Sequence, residues 1–408
     1  MSTSKITFKN KEGLDLKGSL ELPENRTAHN FVLFAHCFTC NKNFLAVKNI
    51  SRALTAKGFG VLRFDFTGLG ESEGEFSDSN FSGNVEDLVC AAGYLEDNYK
   101  APSLLIGHSL GGAAVLFAST LLDSVTAVAT IGAPSHIGHV KNLLKNDVAD
   151  IHKNGIAEVN IGGRNFNIKK QFLDDLENND LPDIISNLEK SLLVLHSPQD
   201  TIVGINNAEE IYVAARHPKS FISLDGADHL LTNKIDSNYA GDVIGTWANR
   251  YLEIPEEAEL KTNLDVIAYL GPEGFTTQIK AGRHNFIADE PEKVGGNDFG
   301  PNPYEYVSAG LAACTSMTIQ MYAKRKGWAV DFVETHVNYG KEHALDCEKC
   351  EELGTKIDTF KRELIIEGDL DEKQRKRLLE IANKCPVHKT LHSETQIITS
   401  LVVNNTAD

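Results

Sequence analysis

Gly107-His108-Ser109-Leu110-Gly111 fits Gly-x-Ser-x-Gly, the spacing that places a serine on a sharp strand-to-helix turn. An apolar run, Ser103–Gly107, precedes it, and a helical stretch begins near Gly111. Small residues on both sides let the chain turn tightly enough to expose the hydroxyl above a sheet. A glycine-rich structural turn is the alternative reading. A serine hydroxyl is a weak nucleophile and needs a base to take its proton. The chain order expected with such an elbow is serine, acid, histidine. Asp200 follows the apolar run Ser191–His196, and His229 follows Phe221–Leu224, so both stand just past strand ends. Asp200 would orient His229, which would act as general base and then general acid. Asp225 and Asp228 are rival acids and His196 a rival base. Asp228 is adjacent to His229 and poorly placed to reach its ring, while His196 ends a strand. An oxyanion needs amide donors. The candidates are the N–H of Leu110 and that of Phe38, in the loop His36-Cys37-Phe38.

Cysteines supply the other candidate chemistry. The chain has seven, an odd number. Cys37-x-x-Cys40 invites a redox reading, but it falls in the oxyanion loop and not at the start of a thioredoxin-type helix. Buried or semi-buried thiols are the preferred expectation. Cys347-x-x-Cys350 and Cys385-x-x-His388, with His343 nearby, have ligand types suited to zinc. An exposed loop with two ordinary thiols is the competing account. Cys314, read from its surroundings alone, is a small residue in a packed helix. No cofactor is called for.

The elements that must position these groups form two patterns. Strands are expected at Phe31–His36, Val61–Phe66, Ser103–Gly107, Ala127–Ile131, Ser191–His196 and Phe221–Leu224. Helices are expected at Phe44–Ala56, Val85–Asn98, Gly111–Leu122, Asn207–Ala215 and Tyr239–Tyr251. This alternation implies an α/β doubly wound, mostly parallel sheet. Ser135–Lys190 is polar, lacks strand periodicity, and reads as an inserted cap over the carboxyl ends of the strands. The acidic stretch around Pro255–Glu259 suggests a linker over residues 255–262, dividing a domain at 1–254 from one at 263–408. The second part reads as α+β. A hairpin is expected from Val266–Leu270 and Phe275–Ala281, then a loop at Asp289–Pro303 and a long helix at Tyr304–Lys326. Strands at Phe332–Tyr339 and Thr359–Glu367 and a helix at Leu370–Lys384 follow.

Composition narrows the function classes. The 408 residues carry a net charge of −17, with 41% hydrophobic and 24% charged residues. Non-specific nucleic-acid binding needs a basic face, for which the sequence offers no strong candidate. The short cluster Lys373–Arg377 reads as a solvated helix face. No apolar run approaches ~18 residues, so no membrane span is expected. Met1–Gly13 lacks a signal-peptide pattern, and cytoplasmic localisation is expected.

With Arg63-Phe64-Asp65-Phe66-Thr67-Gly68-Leu69-Gly70-Glu71-Ser72, the elbow and its partners resemble the α/β-hydrolase superfamily over about residues 1–250. The resemblance implies a serine hydrolase of carboxylesterase or thioesterase type acting on a small acyl ester or thioester. The run Gly295–Tyr306, then Ala312-Ala313-Cys314-Thr315-Ser316-Met317-Thr318, then Cys385-Pro386-Val387-His388-Lys389-Thr390-Leu391, resembles the OsmC/Ohr family over roughly 263–404. The whole chain looks like the fused, bifunctional α/β-hydrolase–OsmC proteins. That resemblance implies an intertwined homodimer and a thiol peroxidase of oxidative-stress type. Cys314 would be the peroxidatic thiolate and Cys385 the resolving thiol, with an organic hydroperoxide and a thiol reductant as partners. Arg283 is the candidate activating cation. Tyr304 stands where organic-hydroperoxide members carry a glutamate, and Glu305 comes one step later, turned by about 100° on a helix. This departure favours the alternative that the module is non-catalytic, serving dimerisation, ligand binding or a zinc-stabilised interaction.

Overall fold

The computed structural model describes residues 2–23, 27–37, 40–138, 148–161, 164–177, 180–254, 260–272, 274–343 and 356–402. By its contacts the chain divides into two compact units. One is Met1–Phe286 with Gly295–Asn297, and the other is Ile287–Val294 with Asp298–Asp408.

The first unit is built on an eight-stranded sheet. Its strands are β1 (Ser2–Lys9), β2 (Asp15–Leu22), β3 (Asn30–Ala35), β4 (Phe59–Phe64), β5 (Leu104–His108), β6 (Ala127–Ile131), β9 (Ser191–His196) and β10 (Lys219–Ser223). Their order is β1-β2-β4-β3-β5-β6-β9-β10. β1, β2 and β4 pair antiparallel, and the other neighbours pair parallel. β3 to β6 and β9 are buried along their whole length, because helices cover both faces. α1 (Leu45–Ala56) and α8 (Lys234–Ala248) pack on one face, where Ile50, Leu54 and Ile244 meet Val32, Leu104 and Ile106. α2 (Phe81–Asn98) and α3 (Leu110–Leu121) pack on the other, against Leu33, Leu62 and Leu105. α7 (Asn206–Ala214) lies between β9 and β10 in the chain.

The sequence expectations differ from this fold in three places. The first two strands carry no continuous apolar run, and only Ile6, Phe8, Leu16 and Leu20 bury their apolar side chains there. The segment expected to be a cap without strands contains a hairpin, β7 (Ile156–Ile161) with β8 (Arg164–Lys169). α4 (Val148–Asn154), α5 (Lys170–Glu177) and α6 (Leu181–Ser186) flank the hairpin. The segment reaches the loop after β4 through Lys169 to Asp78, and α2 through Ser82 Oγ to Asp175, 2.6 Å. The expected hairpin near residue 270 is a three-stranded sheet, β11 (Val266–Leu270), β12 (Thr277–Ala281) and β13 (His284–Ala288).

In the second unit the long helix α9 (Pro303–Lys326) starts at a capping box, with Asn302 accepting from the amides of Tyr304 and Glu305. It ends at Gly327, whose φ of 68° suits a left-handed cap. β14 (Phe332–His343) and β15 (Lys356–Glu367) pair antiparallel. α10 (Glu372–Ala382) and α11 (Pro386–His392) follow. Ile319 and Ala323 of α9 pack with Leu378 and Ala382 of α10 to form the core of this unit. No described helix is long and apolar enough to cross a membrane.

Candidate functional site

β5 runs straight into Ser109, whose φ is 56°, and α3 begins at the next residue. Such a positive φ is strained for a non-glycine residue and holds the side chain out of the chain path. The turn is possible because its neighbours are glycines. A Cβ on Gly107 would strike the carbonyl of Gly111, and one on Gly111 would lie 2.5 Å from the His36 carbonyl oxygen. The Ser109 amide donates to Ile131 O at 2.8 Å, and Gly112 N donates to Ser109 O at 2.8 Å.

Asp200 sits four residues beyond β9. One carboxylate oxygen accepts from the amides of Ile202 and Val203, each at 2.9 Å. The other faces His229 Nδ1 at 2.6 Å. Burial alone would raise this carboxyl. The His229 hydrogen bond and charge, with the two amides, outweigh it and hold Asp200 below the usual carboxylate range. His229 Nε2 lies 3.0 Å from Ser109 Oγ. With Nδ1–H donated to Asp200, the lone pair on Nε2 faces the hydroxyl and can accept its proton. Ser109, His229 and Asp200 are thus in hydrogen-bonded series.

The rivals are engaged elsewhere. Asp225 accepts from Ser223 Oγ at 2.5 Å, and Asp228 caps the turn at Thr232. His196 turns Nε2 to Val203 O at 2.7 Å. Leu110 is buried and opens α3, where the helix itself provides no acceptor for its N–H. Phe38 lies outside the described residues.

Sequence reasoning missed the buried ion network behind this loop. Asp65 accepts from Lys42 N at 2.7 Å, Lys42 Nζ at 2.5 Å and Glu71 N at 3.0 Å. Arg63 donates to Glu21 at 2.5 Å and to Lys42 O at 2.5 Å. Lys42, Arg63, Asp65 and Glu21 are all buried, so each charge needs its partner. The network fixes the chain at Lys42, and only its Arg63–Ser72 part carries a local signal. The expectation of free thiols at Cys37 and Cys40 is corrected. The two are joined as a disulfide, with Cα atoms 5.3 Å apart. Cys40 N also donates to Cys37 O at 3.1 Å.

In the second unit Cys385 is the N-cap of α11. Its Sγ accepts from His388 N at 3.3 Å and lies 3.7 Å from Thr315 Oγ1. Burial would push this thiol up. The His388 amide, Thr315 Oγ1, the neighbouring Cys314 and the charge of Arg362 outweigh burial and lower it. Cys314 lies on α9 and is half-buried. Arg362 of β15 donates to Thr315 Oγ1 at 2.8 Å, Ala382 O at 3.2 Å and Asn383 Oδ1 at 2.7 Å. A cavity of about 430 Å³ opens beside it, lined in part by Leu311, Phe360, Leu364, His388 and Leu391. Glu305, one step past the position where the resemblance puts a glutamate that holds the arginine, closes the capping box by accepting from Asn302 N at 2.8 Å. Arg283 lies in the turn between β12 and β13, within the first unit, and is exposed. Arg362 was not singled out from the sequence, because only the packing of α9 and α10 with β15 brings it near Cys385. Cys347 and Cys350 lie outside the described residues, and no cluster of metal ligands occurs among the described ones.

The fold, with its serine elbow, defines an α/β-hydrolase of esterase type joined to a thiol-bearing α+β module. Residues 27–146 match the family model described as serine aminopeptidase, S33, and residues 295–400 match that of OsmC-like protein. The esterase domain of a Rhodothermus marinus protein is 50% identical, covers 62% of this chain and 99% of its own, and has a TM-score of 0.52. Est1E from Butyrivibrio proteoclasticus, solved with ferulic acid bound, shares the fold at 17% identity over 60% of this chain and 98% of its own, with a TM-score of 0.50. An uncharacterised Salmonella typhimurium protein, YfhR, is 26% identical over 230 residues, 55% of this chain and 74% of its own. The chain belongs to the α/β-hydrolase family, with an OsmC-like module following the hydrolase.

Proposed function

We propose that the first module, residues 1–254 with its cap at 135–190, is a serine carboxylesterase or thioesterase acting on a small acyl ester or thioester. The observation that carries this reading is the 3.0 Å approach of His229 Nε2 to Ser109 Oγ, with Asp200 at 2.6 Å behind it. Ser109 attacks the acyl carbon as His229 takes its proton. The oxyanion forms against the N–H of Leu110 and that of Phe38. His229 then returns the proton to the leaving alcohol or thiol, and water repeats the sequence to release the acid. Ser109→Ala is expected to abolish p-nitrophenyl acetate turnover, and retained turnover would defeat the assignment.

The module at 263–408, joined through 255–262, is a thiol peroxidase in the same proposal. A Cys314 thiolate attacks the O–O bond of an organic hydroperoxide, releasing the alcohol and leaving a sulfenic acid. Cys385 condenses with that acid, expelling water and forming a disulfide, which an external thiol reduces. Support comes from the influence of Cys314 and of the Arg362 charge on the Cys385 thiol, both of which lower it. Thiol-dependent consumption of cumene hydroperoxide, lost in Cys314→Ser, is the test. A second reading, a non-catalytic dimerisation unit, is favoured by the use of Glu305 in helix capping. Both readings place a second copy of this chain on α9. On that helix Met317 and Met321 are 65% and 72% exposed.

A further inference from the structure

His108, between Gly107 and Ser109, has no part in the triad, yet its ring is buried against it. Its Nε2 lies 2.7 Å from the main-chain oxygen of His229, and the two rings are 5.2 Å apart. A carbonyl only accepts, so Nε2 carries the hydrogen. Burial, and then the neighbouring His229, lower this imidazole to about 3. Asp200 and His36 are the other titratable groups that act on it, the first raising and the second lowering it. The ring is therefore neutral, and a donor, at any pH where ester hydrolysis is assayed.

The loop carrying His229 is tied at three points. Gly226 N donates to Gln199 Oε1 at 2.7 Å, Ser197 Oγ donates to Ala227 O at 2.6 Å, and His108 donates to His229 O. The first two ties reach the loop of Asp200. The third joins the base to the residue covalently next to the nucleophile. It closes a short circuit from the His108 ring through the His229 carbonyl and ring to Ser109 Oγ.

We propose that His108 is a positioning residue for hydrolysis: its Nε2–H grips the carbonyl of His229 and thereby sets the separation of base and nucleophile. This rests on the serine-hydrolase reading. It assigns work to a residue that the Gly-x-Ser-x-Gly pattern leaves unspecified.

His108→Met and His108→Gln test it as a pair. The two side chains are alike in length, but only glutamine can donate near the position of Nε2. With p-nitrophenyl acetate, H108M is expected to lose about ten- to a hundredfold in kcat with KM within about twofold, the size of effect that misplacing a reacting group brings. H108Q is expected to recover most of that loss. A kcat for H108M within about twofold of the parent, or an H108Q as impaired as H108M, would overturn the proposal. If H108M does not fold, H108N carries the test. Its amide is too short to reach the carbonyl, so the same kcat loss is expected, and parental kcat would refute the assignment. S109A run alongside separates the failures. Turnover surviving in S109A removes the underlying reading, whereas a dead S109A beside a fully active H108M removes only the role of His108.

Discussion

Asp200→Asn changes one atom and should remove nearly all turnover. In the parent, one Asp200 oxygen accepts from Ile202 N and Val203 N, and the other faces His229 Nδ1. An asparagine can satisfy the two amides only with its carbonyl oxygen. That forces its NH2 toward Nδ1, which must then be the unprotonated nitrogen. The His229 proton moves to Nε2, and the lone pair that faced Ser109 Oγ is gone. Two effects add. The charge-assisted bond at 2.6 Å is lost, and hydrogen bonds to charged groups contribute about 1.5–3 kcal/mol. The base is also held in the wrong tautomer, and the equivalent change in a serine protease lowers kcat by about 10⁴, which corresponds to about 5.5 kcal/mol of barrier. Steady-state hydrolysis of p-nitrophenyl acetate should therefore show kcat down by about 10³ to 10⁴ with KM little altered. A D200N enzyme within about tenfold of the parent would refute the tautomer argument.

His108 makes folding stability sensitive to acid. Unfolded, it titrates near 6.5, but folded only at about 3, so between those values the unfolded chain binds the extra proton. Stability falls as pH drops through that window, by up to about 1.4 kcal/mol per pH unit from this residue. Urea melts of H108Q between pH 6 and pH 4 should show a shallower decline than the parent, and equal slopes would contradict this. Asp200 works at lower pH: its contribution is full above the ordinary carboxylate value and disappears as pH falls through its depressed one. Arg362→Met should move the alkylation midpoint of Cys385 to higher pH and slow hydroperoxide consumption, and an unmoved midpoint would show that the cation does not act on the thiol. Met321→Glu should convert a dimer to a monomer by light scattering, and a dimer of unchanged strength would remove α9 from the interface.

The catalytic candidates were legible because this fold puts them at strand ends. Ser109 and Asp200 each follow a buried apolar run, readable without knowing its partners, and His229 follows β10, a partly exposed strand at the sheet edge. β1 and β2 were not legible, since one-sided burial leaves too few apolar positions to stand out. The hairpin of β7 and β8 was hidden for a related reason. Its strands are rich in asparagine and charge, which hides the strand periodicity. β13 lay behind a tight turn at Gly282, where φ is 58°. The contacts joining distant residues were out of reach altogether. Lys42 and Asp65 are 23 positions apart, and nothing local in either marks a buried ion pair. Arg362 and Thr315 are 47 apart, and only the packing of α9 and α10 with β15 brings them together. The carbonyl of His229 is a main-chain atom and leaves no trace in sequence, so the role of His108 required coordinates.

Labelling with a fluorophosphonate, followed by peptide mass spectrometry, tests the central claim most directly. One equivalent should add to the peptide holding Ser109, with esterase activity lost in step, and His229→Asn should prevent the reaction. Full labelling of H229N, or a label on another serine while activity disappears, would contradict the account.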